Sequence, residues 1–358
     1  MSRAPEDFVR RTVRPLAAYG PPRDPAPVAL HLNESPSDLP PELKRQLAAE
    51  LQAMDWSKYP INDGSRLAAD LARANDLDPK AVLVGNGSNE LLQLLLFACV
   101  EPGDTVVVAE PSFSLYALQA KALGARVVSV PLRAPSGEFR FPLEELVRAS
   151  EDAKLVLLGS PNNPTGTTLS FEDASLLSRA VPCLLGIDEA YRDFCGQDFA
   201  PLLARSPRLV LFRTFSKALA AASLRAGCML ASPALCAELR KVQLPYNLSA
   251  FAALIARALL ARPELVTERA RLVVAERERI GGALRELGID VHPSGANFIL
   301  FEQTKRPANE LHAALFRRGV LIRNVSSAKG LERALRVSIG APAANDAFLA
   351  AIRAELPA

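Results

Sequence analysis

Short apolar runs without polar alternation recur along the first two thirds of the chain: AVLV at 81–84, TVVVA at 105–109, RVVSV at 126–130, KLVLLG at 154–159, CLLGI at 183–187, RLVLF at 208–212 and CML at 228–230. Runs of this kind predict strands buried on both faces, and helical spacing between them predicts crossover helices. The pattern is that of an α/β protein with a doubly wound, mostly parallel sheet. Ser65 is expected to cap a helix carrying Leu67, Ala68, Leu71 and Ala72 on one face. Glu101-Pro102-Gly103-Asp104 reads as a turn, and Gly124 as the stop of a helix that follows Pro111.

Beyond Pro245 the texture becomes helical, first SAFAALIARALLA and then TERARLVVAERERIGGALREL, ending at Gly288. Strand-like runs follow at 297–301, 320–323 and 335–339, with a helical segment at 307–318 between the first two. This predicts a second, smaller α+β domain. Residues 5–42 are proline-rich with little periodicity and read as an arm across the body. The expected division is an arm over 1–42 packing with the small domain, a large domain over 43–246 and a small domain over 247–358.

Composition narrows the function classes. The 358 residues carry 42 basic and 39 acidic side chains, a net charge of +3 without blocks of like charge. This does not point to nucleic acid or an anionic membrane surface. Five cysteines without CxxC spacing and three separated histidines argue against a disulfide framework and against a metal centre. The opening MSRAPEDFVRR has no apolar core, and the run from Leu91 to Val100 is too short to span a bilayer. A soluble, cytoplasmic protein is expected.

In an open parallel sheet, ligands gather beyond the carboxyl ends of the strands, so the polar residues after each apolar run are the candidates for chemistry. AVLV leads into Gly85-Asn86-Gly87-Ser88-Asn89-Glu90 and an apolar helix, a setting that suits a phosphate but could be a plain turn. KLVLLG leads into Ser160-Pro161-Asn162-Asn163-Pro164-Thr165-Gly166, which presents asparagine amides. CLLGI leads into Asp188-Glu189-Ala190-Tyr191, where a carboxylate at a buried strand tip needs a cation or a ligand, with a structural ion pair as the alternative. RLVLF leads into Arg213-Thr214-Phe215-Ser216-Lys217, a lysine among hydroxyls and small apolar residues, the setting that lowers an amine's pKa and makes it nucleophilic.

Taken in order, Tyr19, LNESP, SKYP, GNGSNE, PSFSLY, SPNNPTG, DEAY, TFSK, SLRAG and LRVSIG resemble the fold-type-I pyridoxal-phosphate-dependent aminotransferases, most closely the histidinol-phosphate group, over nearly the whole chain. The resemblance implies that Lys217 holds pyridoxal 5'-phosphate as a Schiff base and that Asp188 pairs with its pyridinium nitrogen. It implies that Asn163 and Tyr191 hydrogen-bond the ring's phenolic oxygen and that Phe113 stacks on the ring. Ser88, Asn89, Thr214, Ser216 and Arg225 correspond to the phosphate cup. Tyr59 corresponds to a tyrosine that reaches the phosphate from a neighbouring subunit, which implies a homodimer with shared active sites. Arg336 corresponds to the arginine that grips the substrate carboxylate, and Tyr19, Asn33, Asn247 and Arg323 to the substrate side of the pocket. At AAASLRAGC the chain departs from the family's glycine-rich link and aromatic residue, keeping Arg225 but placing Cys228 where a bulkier residue is usual.

The implied reaction is a ping-pong transamination between a small-molecule amino donor and a 2-oxo acid acceptor, with L-histidinol phosphate and 2-oxoglutarate as the expected pair. An aminotransferase for aromatic or other amino acids, or a decarboxylase acting on a phosphorylated amino acid, could share the same cofactor residues. A non-catalytic sensing domain fused to a transcription regulator is a third class, although the chain shows no helix-turn-helix segment and keeps the lysine.

Overall fold

The computed structural model describes residues 4–18, 20, 25–132 and 138–356. In chain order its strands are β1 (Val28–Leu30), β2 (Val82–Gly85), β3 (Thr105–Glu110), β4 (Arg126–Pro131), β5 (Leu155–Gly159), β6 (Leu184–Asp188), β7 (Leu209–Thr214), β8 (Gly227–Leu230), β9 (Asp290–Val291), β10 (Phe298–Glu302), β11 (Val320–Asn324) and β12 (Ala334–Ser338). Each apolar run of the first two thirds is a strand of one sheet, in the order β2-β8-β7-β6-β5-β3-β4. Its strands run parallel except β8, which is antiparallel to both β2 and β7. The apolar content of CML could not tell the direction of its strand.

Alternation along these strands feeds two cores. Val107, Ala109, Val156 and Leu158 pack on one face with Leu67, Leu71 and Leu177, whereas Val106, Val108, Leu155 and Leu157 pack on the other with Leu91, Leu92 and Leu95. The helix expected to start at Ser65 spans Asp63–Ala74 and buries Leu67, Ala68, Leu71 and Ala72. Ser65 therefore lies inside the first turn and is not the cap. Gly124 ends the helix Leu115–Leu123 with φ 89°.

The second sheet has the order β1-β11-β12-β10-β9 and is antiparallel except where β1 runs parallel to β11. The proline-rich segment thus supplies an edge strand, while Thr12 Oγ1 donates to Ala122 O at 2.8 Å on the other body. Phe298, Phe301, Val337, Phe348 and Ile352 form a separate core with the helices Pro263–Glu286 and Pro342–Glu355. The helix Ala250–Leu260 lies past the expected boundary at 247, yet Ala252, Ala253, Ala256 and Leu259 pack with Leu67 and Leu71 in the larger core. We therefore propose that the division falls between Leu260 and Pro263. No described helix is long and apolar enough to cross a membrane.

An ion network ties the carboxyl ends of β6 and β7 together beneath the sheet. Arg213 Nε meets Glu189 Oε2 at 2.7 Å, and Arg213 Nη2 meets Asp198 Oδ1 at 2.6 Å. Asp198 Oδ2 in turn lies 2.8 Å from Arg192 Nη1, and Glu189 Oε1 accepts the Phe199 N–H at 3.0 Å. Glu189→Leu takes one of two carboxylates from Arg213, which keeps Asp198, and leaves the Phe199 N–H without its acceptor, so it is expected to cost roughly 1–3 kcal/mol of stability. Urea unfolding checks this, and a loss below about 1 kcal/mol, the scale of an exposed pair, contradicts it.

Candidate active site

A cavity of about 450 Å³ opens at the carboxyl edge of the large sheet and is faced by residues 31–34 and by Arg323, Asn324 and Arg336 of the small one. At one end β2 turns through Gly87, φ 80°, into the helix Ser88–Cys99. A Cβ on Gly87 would stand 2.6 Å from Arg225 Nη2, so glycine is needed both for the backbone turn and for the approach of the guanidinium. Arg225 itself has φ 53°, a conformation costing a non-glycine residue about 1–2 kcal/mol. Its Nη1 donates to Ser216 Oγ at 3.2 Å and to Ala222 O at 2.9 Å, and Thr214 Oγ1 donates to Ser216 Oγ at 3.0 Å. Ser88 and Asn89, at the helix start, line the same cavity. A cation, hydroxyls and free helix amides in one place make an anion cup.

Asp188, the last residue of β6, also lines the cavity. Its Oδ1 accepts the Ala190 N–H at 3.0 Å and its Oδ2 accepts the Tyr116 hydroxyl at 2.9 Å. Burial pushes this carboxyl up to about 6, even though both hydrogen bonds and the charge of Lys217 favour the ionised form. Phe113 also lines the cavity, with its ring 5.6 Å from that of Tyr116, edge to face.

Lys217 lines the same cavity. Its Nζ donates to the carbonyls of Leu32 at 3.1 Å and Asn33 at 3.0 Å, and sits 5.6 Å from the centre of the Tyr191 ring. Burial lowers its pKa from 10.5 to about 8, helped by the positive charge of Arg336. The Tyr191 hydroxyl accepts from Asn33 Nδ2 at 3.0 Å, while Asn33 Oδ1 accepts from Ser338 Oγ at 2.9 Å. Asn33 takes φ 55°, and Asn297 Nδ2 holds its carbonyl at 3.0 Å. Arg336 is buried, donates from Nη2 to His31 O at 2.8 Å and from Nη1 to Asn163 Oδ1. With Oδ1 so engaged, Nδ2 is the donor of Asn163 that remains for a ligand.

Most of the expected site residues therefore meet in one cavity: Asn33, Ser88, Asn89, Phe113, Asn163, Asp188, Tyr191, Thr214, Ser216, Lys217, Arg225, Arg323 and Arg336. Two do not. Asn247 Nδ2 donates to Val84 O at 3.1 Å and to Glu90 Oε1 at 2.5 Å, and Tyr59 is 73% exposed, stacked on Tyr246 at 4.8 Å. Tyr19 lies outside the described residues. Cys228 is buried in the core, its thiol pushed up to about 11 by burial, and does not line the cavity. Sequence reading missed Tyr116 and Ser338. Tyr116 stands three residues after Phe113, and the turn in which its N–H meets Phe113 O at 3.1 Å brings the two rings together.

A half-buried lysine of lowered pKa, a carboxylate lining the same cavity and an anion cup at the edge of a doubly wound sheet mark a fold-type-I pyridoxal-phosphate enzyme. Residues 26–352 match the model of the family "Aminotransferase class I and II", and the chain belongs to that family. It is 34% identical to the histidinol-phosphate aminotransferase of Caldanaerobacter subterraneus subsp. tengcongensis, over 97% of this chain and 98% of that one. The crystal structure of histidinol-phosphate aminotransferase from Sinorhizobium meliloti, in complex with pyridoxal-5'-phosphate, superposes with a TM-score of 0.82 at 27% identity, covering 92% of each chain. L-threonine-O-3-phosphate decarboxylase from Porphyromonas gingivalis superposes at 0.80 with 25% identity, covering 92% of this chain and all of that one. The residues present suit the cofactor: the anion cup fits its phosphate, and the half-buried Asp188 carboxylate, facing the same cavity as the amine, fits its ring nitrogen.

The depressed pKa predicts that the Lys217 amine of the cofactor-free protein loses its proton through about pH 8. Acetylation of Lys217, followed against pH by peptide mapping, should rise through that value. A midpoint near the ordinary 10.5 contradicts the burial argument.

Proposed function

We propose that the protein transfers an amino group from L-histidinol phosphate to 2-oxoglutarate, giving imidazole-acetol phosphate and L-glutamate. The observation that carries the choice of a phosphorylated substrate is Arg323. It is Cα partner to Arg336 across β11 and β12, lines the cavity, and makes no hydrogen bond or ion pair with any described residue. Two guanidinium groups side by side suit a substrate with an anionic group near its reacting carbon. Near full-length similarity to proteins named for this reaction supports the same reading.

When bound, pyridoxal phosphate supplies a conjugated ring that draws off the electron pair left as the bond at the reacting carbon breaks. The chain supplies the rest. Ser88, Asn89, Thr214, Ser216 and Arg225 would hold the cofactor's phosphate, and Phe113 would pack against its ring. Asp188 would pair with its ring nitrogen, while Tyr191 and Asn163 would hold its phenolic oxygen. Arg336 orients the carboxylate of glutamate, with Arg323 completing the site for phosphate. Lys217 Nζ would hold the cofactor and, when free of it, would be the base that moves the proton of the substrate's reacting carbon. Its lowered pKa keeps a useful fraction neutral near pH 7 to 8.

The assembly we propose is a homodimer. Trp56, Tyr59, Ile61, Leu244 and Tyr246 are each more than half exposed, an apolar surface of the kind that mates with another chain. Tyr59 on that surface is then available to a neighbouring subunit's phosphate cup. The five free cysteines fit a reducing, cytoplasmic setting.

Purified protein given histidinol phosphate and 2-oxoglutarate should release glutamate, and Lys217→Ala should abolish the release. Carbon dioxide from a phosphorylated amino acid, with no glutamate formed, would favour the decarboxylase reading suggested by the Porphyromonas structure. Arg323→Ala should lower kcat/KM for histidinol phosphate by about 10- to 100-fold, the scale of a lost charge-assisted hydrogen bond. Histidinol, which lacks the phosphate, should be little affected, and an equal loss for both removes the case for Arg323. Sedimentation should give two chains per particle, and Tyr59→Ala should weaken cofactor retention.

A further inference from the structure

We propose that Tyr116 is a positioning residue that acts through Asp188, aiming its carboxylate at the cofactor's ring nitrogen and keeping it ionised. The inference rests on the assignment of Asp188 to that nitrogen. Tyr116 is 3% exposed, at the second position of the helix Leu115–Leu123, and its hydroxyl reaches Asp188 Oδ2 at 2.9 Å. The Ala190 N–H takes Oδ1 at 3.0 Å, so each carboxylate oxygen is held by one donor and keeps lone-pair capacity for a ligand in the cavity. Two fixed donors on different elements set the plane of the carboxylate more firmly than one.

The surroundings restrict Tyr116 to this task. A Cβ at Gly159 would lie 3.3 Å from the Tyr116 hydroxyl oxygen, so glycine at the end of β5 leaves the phenol its room. Phe113 packs edge-on to the same ring at 5.6 Å, linking the residue assigned to stack on the cofactor with the residue that orients its counter-ion. Burial and the adjacent carboxylate push the phenol's own pKa well above its ordinary value, so it remains a donor. Donation to a carboxylate lowers its affinity for a proton and works against the desolvation of Asp188. Without Tyr116, Oδ2 is left in a half-buried place with a donor missing, and the proton shared with the ring nitrogen moves toward the carboxyl.

The test is a double-mutant cycle on cofactor binding, with wild type, Tyr116→Phe, Asp188→Asn and the double variant prepared as apoproteins. The dissociation constant for pyridoxal phosphate is measured by equilibrium dialysis, and the unfolding midpoint of each apoprotein is recorded alongside. Tyr116→Phe is expected to weaken binding about tenfold in the wild-type background. In the Asp188→Asn background the same change is expected to cost about twofold or less, because the group it acts through is gone. Nitrogen NMR of ring-labelled cofactor should show the ring nitrogen losing proton character in Tyr116→Phe. An equal loss in both backgrounds, or an unmoved nitrogen signal, would show that Tyr116 merely fills space and overturns the proposal. Asp188→Asn binding the cofactor as tightly as wild type overturns the assignment of Asp188, a failure distinguishable from the first. Should Tyr116→Phe lower the unfolding midpoint, the nitrogen signal decides: loss of proton character at the ring nitrogen supports the proposal and an unmoved signal overturns it.

Discussion

Opposite charges drawn out of water at one edge of a sheet are the constraint around which this protein is built. Lys217 and Asp188 face the same cavity, and burial moves each toward its neutral form, the amine down to about 8 and the carboxyl up to about 6. Neither group could be held there by hydrophobic packing alone. Each is paid for by a small set of fixed dipoles: two backbone carbonyls for the amine, a backbone amide and a phenol for the carboxylate. The large apolar sheet provides the rigidity that keeps these dipoles in place.

That rigidity has its own electrostatic support. Glu189 follows Asp188 directly and turns the other way, into the network with Arg213, Asp198 and Arg192. Alternation along the strands places ligand-facing residues such as Thr214 next to structural ones such as Arg213. The same two strand ends therefore face the cavity with some side chains and tie themselves together with others.

Much of this was legible in the sequence because it depends on periodicity and strand ends. The seven apolar runs became the seven strands of the large sheet, and the polar residues after them gathered in one cavity. What the sequence concealed depends on partners distant along the chain. The direction of β8 is set by its neighbours and leaves no mark in the residues CML. The helix Ala250–Leu260 is apolar whichever core it joins, and only the packing of Ala252 and Ala256 against the helix Asp63–Ala74 decides. Tyr116 looks like one more aromatic on a helix until its hydroxyl is seen to end on a carboxylate 72 residues away. Asn247 and Tyr59 lie away from the cavity of their own chain, a placement that a single-chain motif does not reveal.

The carbonyls that receive the Lys217 amine belong to Leu32 and Asn33, just beyond the edge strand that the N-terminal segment lends to the smaller sheet. The lysine grows from one body and is sheltered by a stretch of chain anchored to the other. Any rocking that parts the two would hydrate the amine and return it toward ordinary basicity. The shelter that lowers this amine's basicity is thus shared between the two sheets.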